Sequence, residues 1–334
     1  MQHRTIALSV ASLAILAGGA CSSGTPQCQV GADCASGACD SSGQCVPVTP
    51  GGGDSGSSGS GMEAGFEASV ESGYEASPGD DGGSGCVPNN DGTITRAEVP
   101  MLAGLHASFL IAPAGGSTTE TVTMNTAGTP QSDGTVDWDF SGALTGDHTV
   151  VITTDAPQGQ WFSAQFTDAT YTSLLSDTEA FLGVYQGTQS SLLLQGVVNP
   201  TNATPQTELS YAPAAEILAV PLMVGSTWTS TSTVSGIADG VTLVSGVNSY
   251  TEKYDSTVDA KGSLKVPYGT FQVLRVQTTL TRTAGIEVET IQTMTFVAEC
   301  FGPVARLTSQ TTTYPAAAPG DAFTTVAEAW RLSP

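Results

Sequence analysis

Basic residues are scarce. The chain has 334 residues with 9 Lys plus Arg against 31 Asp plus Glu, a formal net charge of -22. Such a chain has no cationic surface to neutralise phosphates, which excludes nucleic acid and anionic membrane faces as partners. Histidine is also rare, with three in the chain, and the sequence holds no G-x-S-x-G, no H-E-x-x-H and no C-x-x-C. Those gaps remove the sequence signs of a hydrolase elbow, a zinc protease and a redox dithiol. A Ser, His and Asp triad assembles in space, so His106 and His148, the latter beside Asp147 in the turn segment GDHT, stay as candidates for a hydrolase. No other catalytic residue is assigned. No apolar stretch reaches the roughly 20 residues that a membrane-spanning helix needs.

The longest apolar run is at the start. Arg4 is followed by apolar residues from Thr5 to Leu16, then by the small residues Ala17, Gly18, Gly19 and Ala20. Residues 1–20 therefore read as a signal peptide for export. Ending at Cys21, the segment resembles the bacterial lipoprotein signal, with Gly18 where that family usually has Leu. The resemblance implies that Cys21 carries lipid and becomes the N-terminus, anchoring the chain in the bacterial cell envelope, at the outer membrane or cell surface. Cleavage by the ordinary signal peptidase is the alternative. Fatty-acid labelling decides between them: label lost in Cys21→Ala supports the anchor, and equal label refutes it.

Seven cysteines is an odd count for an exported protein. Removing Cys21 leaves six. Cys28, Cys34, Cys39 and Cys45 stand within 18 residues too poor in apolar side chains to bury a core. Disulfides are the expected stabiliser of this 21–45 box, with connectivity open among three pairings. A zinc site is the alternative, but zinc boxes favour C-x2-C pairs. The spacing is similar to dickkopf-type cysteine boxes. Cys86 and Cys300 then pair with each other by elimination.

Residues 46–85 hold 20 Gly or Ser among 40 and no Lys or Arg. The repeat EAGFEASV and ESGYEASP puts Glu63, Glu67, Glu71 and Glu75 four residues apart, a like-charge stack that disfavours helix. A disordered acidic linker is expected, with a root-mean-square span of about 35 Å. At 86–100 the segment NNDGTITRAE resembles an EF-hand loop. With Gly92 at the sixth position, Asn89, Asp91, Thr93 and Glu98 fall at the third, fifth, seventh and twelfth. The resemblance implies weakly bound calcium, since Val87 at the first position cannot ligate. An Asx turn built on Asn90, Asp91 and Gly92 is the alternative.

From residue 101 to 334 the texture is that of strands. Thr, Val and Ser alternate with apolar residues, and turn residues interrupt at short intervals. Strands are expected throughout, including Phe162 to Phe166, with helical turns only at Ser173 to Ala180 and Pro213 to Leu218. A hairpin turning at Ala284 and Gly285 would pair Arg282 with Glu287 and Val273 with Phe296. One of its faces collects Phe271, Val273, Val288, Met294 and Phe296, the other Leu274, Val276, Leu280, Ile291 and Val297. Two apolar faces need cover on both sides, so the fold class is all-β: an antiparallel curved sheet closed as a barrel, half-barrel or sandwich. Arg275 falls on an apolar face and needs a carboxylate or phosphate partner, either a buried ion pair or a ligand.

VGSTW at 224–228, GSLKVPYGTFQVLRV at 262–276 and FGPVARL at 301–307 resemble β-rich envelope lipoproteins related to the lipoprotein-carrier half-barrel. That resemblance implies an apolar concavity and a lipid or other hydrophobic ligand. Residues 101–252 hold 13 acidic residues and no Lys or Arg, whereas 253–306 hold six basic against five acidic. The expectation is a non-enzymatic binding or structural module of the envelope. The alternatives are a surface adhesion or protein-interaction module, with a protein partner, and a secreted hydrolase.

Overall fold

A computed structural model describes residues 86–113, 120–177, 180–243, 248–313 and 322–334. Cys21, Cys28, Cys34, Cys39, Cys45 and the linker at 46–85 lie outside the described residues. Within them the chain is strand almost throughout, with one 3₁₀ turn at Arg96–Glu98. The first ten strands are β1 (Thr93–Ile94), β2 (His106–Ala112), β3 (Val122–Thr123), β4 (Thr129–Pro130), β5 (Val136–Asp139), β6 (His148–Asp155), β7 (Tyr171–Leu174), β8 (Leu182–Gly187), β9 (Ser191–Val198) and β10 (Glu208–Ala219). There follow β11 (Leu222–Met223), β12 (Thr227–Ala238), β13 (Val241–Leu243), β14 (Tyr250–Val266), β15 (Gly269–Ala284), β16 (Glu287–Ala298), β17 (Gly302–Ser309), β18 (Thr312–Thr313) and β19 (Thr325–Leu332).

Twelve of these hydrogen-bond antiparallel into a closed barrel, in the order β2, β6, β7, β8, β9, β10, β12, β14, β15, β16, β17, β19 and back to β2. Closure removes the two free edges that an open sheet would present. The period-2 signal that makes these segments strands is cleanest in β6. His148, Val150, Ile152 and Thr154 are half-buried, while Thr149, Val151, Thr153 and Asp155 are exposed.

Several expectations are corrected. Ser173 and Leu174 belong to β7, and Pro213–Leu218 lies in β10 rather than in a helical turn. The ladder between β10 and β9 shifts register between Ser210 and Ala215, and Pro213, which has no N–H to donate, sits inside that interruption. Phe162 to Phe166 is not a strand. The bonds Ser163 N to Gln160 O and Gln165 N to Phe162 O close successive turns that bury Phe162 and Phe166 against Val184 and Val198. Consecutive turns and a strand both put residues 162 and 166 on one side, so the apolar spacing did not separate them.

The β15–β16 hairpin turns at Gly285 and Ile286, one residue later than expected. Gly285 takes φ +62° at the first central position, which suits a tight two-residue hairpin turn, and Ile286 is 100% exposed at the tip. Arg282 thus pairs with Glu289, Arg275 with Phe296 and Val273 with Ala298. The slip is two residues, which preserves which face each side chain occupies. Both face assignments therefore hold.

Those two faces look into different cores. On the outer side, Phe271, Val273, Met294 and Phe296 pack with Trp138 of β5, with Phe140 just after it, and with Val122 and Met124. On the inner side, Leu274, Val276 and Val297 meet Tyr171, Tyr185, Leu194 and Leu218 from the far wall. The N-terminal segment joins that inner cluster. Its β1 pairs with β11, and it inserts Ile94, Val99 and Met101. Arg275, as expected, has its carboxylate: Nε and Nη2 donate to Asp259 at 2.9 and 2.7 Å, and Nη1 donates to the Thr126 carbonyl at 2.7 Å.

Cover of the outer face depends on one glycine. β5 runs parallel to β14 at Gly262–Lys265, and a Cβ on Gly262 would lie 1.8 Å from the Val136 carbonyl oxygen. Gly262→Ala is expected to push β5 away and cost about 1–3 kcal/mol. Gly269→Ala, which meets open space, is the matched control in thermal unfolding. Equal losses in the two variants would refute the account.

Candidate functional site in the barrel interior

Strand register places one polar row along the inner wall. Trp228 pairs with Ser256, Ser256 with Thr278, Thr278 with Thr293, Thr293 with Thr308 and Thr308 with Glu328. The next row toward the apolar cluster runs Val258, Val276, Thr295, Arg306, Trp330, Ile111 and His148. The row at the opposite end holds Ser232, Glu252 and Arg282. Charged residues thus stand in all three rows: Glu328 in the first, Arg306 and His148 in the second, Glu252 and Arg282 in the third.

On β16 and β17 the inward residues are less buried than the outward ones. In β16 the inward residues Ile291, Thr293 and Thr295 are half-buried, whereas the outward Gln292, Met294 and Phe296 are buried. The inward Thr278, Thr308 and Arg306 are half-buried in the same way. On β6, β12 and β14 the order is the usual one, with the inward residues more buried than the outward ones.

The charges on the wall are matched in place. Glu252, 1% exposed, accepts from Arg282 Nε at 3.0 Å and Nη2 at 2.8 Å and from the Tyr254 hydroxyl at 2.5 Å. Burial and the neighbouring Glu252 hold the Tyr254 phenol well above its ordinary value, and burial does the same for Tyr211. Burial pushes Tyr185 up to about 12. These tyrosines stay neutral at physiological pH. Glu328 accepts from Arg306 Nη2 at 3.2 Å, from Ser176 Oγ at 2.9 Å and from Asp177 N at 2.9 Å. Arg306 also donates to the Leu175 carbonyl at 2.6 Å and lies 4.1 Å over the Trp330 ring.

Four buried polar atoms on this wall have no hydrogen-bond partner among the described residues: Trp228 Nε1, Ser232 Oγ, Arg306 Nε and Trp330 Nε1. A buried donor without a partner costs about 1–3 kcal/mol, and such groups are uncommon in folded proteins. Their concentration on the inner wall makes it the candidate site.

The other candidates from the sequence are placed as follows. His148 does not meet a serine: its Nε2 lies 2.7 Å from Asp177 Oδ2 and its Nδ1 3.2 Å from the Gly146 carbonyl. Asp147 is turned away to Arg331, and His106 is exposed at the start of β2. Burial alone would lower the His148 pKa, but the Gly146 carbonyl and the Asp177 carboxylate outweigh it and raise the group above 6.5. Protonated His148 therefore stabilises the fold fully below about pH 6.5, and that contribution is lost as pH rises through the raised value. For a half-exposed pair the effect is under about 1 kcal/mol. Urea unfolding between pH 6 and 8.5 should show it in the wild type and not in His148→Gln.

The EF-hand-like residues do come together. Asn89 Oδ1 accepts from Asp91 N at 2.8 Å, and Asp91 Oδ1 accepts from Thr93 N at 2.7 Å. Glu98 accepts from Asn89 Nδ2 at 3.0 Å and from Thr95 N and Oγ1 at 2.8 and 2.7 Å. These oxygens hold N–H and O–H groups of the loop itself. Among the described residues, no group of three His, Cys, Asp or Glu is placed to hold a metal. The loop acts as a clasp: Glu299 accepts from Asn89 N and Asn90 N, Cys300 N donates to the Glu98 carbonyl, and Cys86 is disulfide-bonded to Cys300.

No known protein family matches this chain, and neither curated proteins nor solved structures give a match. Trp228, Ser232, Glu252, Arg306, Glu328 and Trp330 were not found from the sequence. Each sits in a different strand or at a different depth, and only the register across six strands collects them.

Proposed function

We propose that this chain is a non-enzymatic binding protein of the bacterial cell envelope, with a hydrophobic small molecule as its cargo in the barrel interior. In this reading the lipid on Cys21 and the linker at 46–85 keep the barrel outside the cytoplasm. The observation that carries it is the half-buried inner face of β16 beside its buried outer face. Ile291, Thr293 and Thr295 of β16, with Thr278 and Thr308 beside them, are the half-buried inward residues such a molecule would meet. Nile red, a neutral apolar dye, is expected to bind the full-length protein and brighten. Thr293→Trp, which fills the interior from the middle of the polar row, is expected to abolish that signal at unchanged fold. Equal binding by both proteins, or none by the wild type, refutes the reading.

A further inference from the structure

We infer that the cleft between the clasp loop and the end of the barrel wall binds a small zwitterion of the α-amino acid class. This site lies apart from the polar rows of the interior and stands whether or not the barrel carries a cargo. The cleft has a volume of about 170 Å³, and its lining brings together Asp91 and Gly92 of the clasp loop, Lys261 of β14, Gln272 of β15 and Glu299 just after β16. Register explains the meeting. Lys261 pairs with Leu274 and Leu274 with Val297, so these three share one face of the sheet. Gln272 and Glu299 stand two residues beyond Leu274 and Val297, toward the same end.

Both signs of charge have open capacity there. Lys253 and Lys265 on the same strand pair with Asp255 and Asp139, whereas Lys261 has no ion pair among the described residues. It feels the exposed Asp133 only at a distance, and that carboxylate already holds Thr135 N and Oγ1 at 3.0 and 2.7 Å. The Lys261 Nζ is 3.7 Å from where a Cβ on Gly92 would stand, which sets the ammonium against the loop. Glu299 is 7% exposed, and its Oε2 accepts from both Asn89 N and Asn90 N at 2.6 and 2.9 Å. A carboxylate accepts at both oxygens, yet Glu299 Oε1 has no partner among the described residues. Asp91 Oδ1 accepts from Thr93 N, and its Oδ2 is open in the same way. A simple anion in the cleft would meet Asp91 and Glu299, and a simple cation would meet Lys261, each a like-charge contact. A zwitterion meets opposite charge at both ends: its carboxylate accepts from Lys261, and its ammonium, with three N–H groups, donates to Glu299 and Asp91. Ile94, Val273 and Leu274 supply an apolar part of the lining, which suits a short aliphatic side chain.

The test is calorimetric titration of the full-length protein at neutral pH with three probes of similar size: L-alanine, L-alaninamide, which lacks the carboxylate, and propionate, which lacks the ammonium. L-Alanine is expected to bind at least tenfold more tightly than either. Lys261→Met, at an exposed position, should weaken L-alanine about tenfold and leave L-alaninamide unchanged. Glu299→Gln still offers an amide oxygen to Asn89 N and Asn90 N, but replaces the open carboxylate oxygen with an NH₂ group, and should weaken L-alanine and L-alaninamide alike. No heat from L-alanine at millimolar concentration overturns the inference, as does an L-alanine affinity unmoved in Lys261→Met. Binding of L-alaninamide or of calcium chloride as tight as that of L-alanine would make the cleft a cation site and overturns it too.

Discussion

Replacing Cys86 and Cys300 together with serine is expected to lower the free energy of unfolding by about 5 kcal/mol in the chain-entropy picture. The two cysteines are separated by 214 residues, so the bond closes nearly the whole described chain into one loop. Cross-linking such a loop removes a large share of the conformations open to the unfolded chain, and the cost of losing the bond falls mainly on that state. A folded-state contribution adds to it. The residues after Cys86 reach the barrel through short contacts at Asn89, Asn90 and Glu98, and they carry Ile94, Val99 and Met101 into the inner cluster. Without the bond that segment should fray first, with its amides exchanging faster than those of β15. Denaturant titration of the double-serine variant measures the first effect, and hydrogen exchange the second. A loss below about 1 kcal/mol would show that the unfolded chain is already compact enough for the cross-link to matter little.

Asp147→Ala is expected to cost about 3–5 kcal/mol, the range for a buried ion pair that loses one partner. Arg331 is 0% exposed. Its Nη1 donates to the carbonyls of Phe140 and Gly142 at 3.0 and 2.6 Å, and its Nη2 is held by the Asp147 carboxylate. Removing the carboxylate strands a guanidinium against the outer core. The opposite change, Arg331→Met, leaves Asp147 nearer the surface, where water can replace the lost partner, and should cost less. Charge and packing are then separable: the double variant should be more stable than Asp147→Ala alone. A double variant that is less stable would mean that the arginine matters for the volume it fills and for its two carbonyl bonds.

The legible part of this fold was the part with a local cause. Alternation in β6 and in the β15–β16 hairpin comes from residues a few positions apart, and it was enough to identify strands, an all-β class and two apolar faces. Arg275 was predicted to need an acidic partner because a lone cation on an apolar face is costly wherever the sheet lies, and Asp259 fills that role. Ser173 and Leu174, at the start of the expected turn to Ala180, and Pro213 to Leu218 were misread because short segments with a proline or few branched residues carry weak local preference. Pairing across the barrel decided them. The inner wall was not legible at all, since Trp228 and Glu328 become members of one row only after five separate registers are set.

The link between Cys86 and Cys300 has a mechanical consequence. A pull applied to the chain before Cys86 is carried through sulfur to the turn between β16 and β17, and the residues between the two cysteines bear none of it in series. About 700 Å of extendable chain is thereby withheld from elongation, taking roughly 3.3 Å per residue over the 214-residue separation. Stretching the intact protein from its N-terminal side should meet a short, stiff response where the reduced one pays out length.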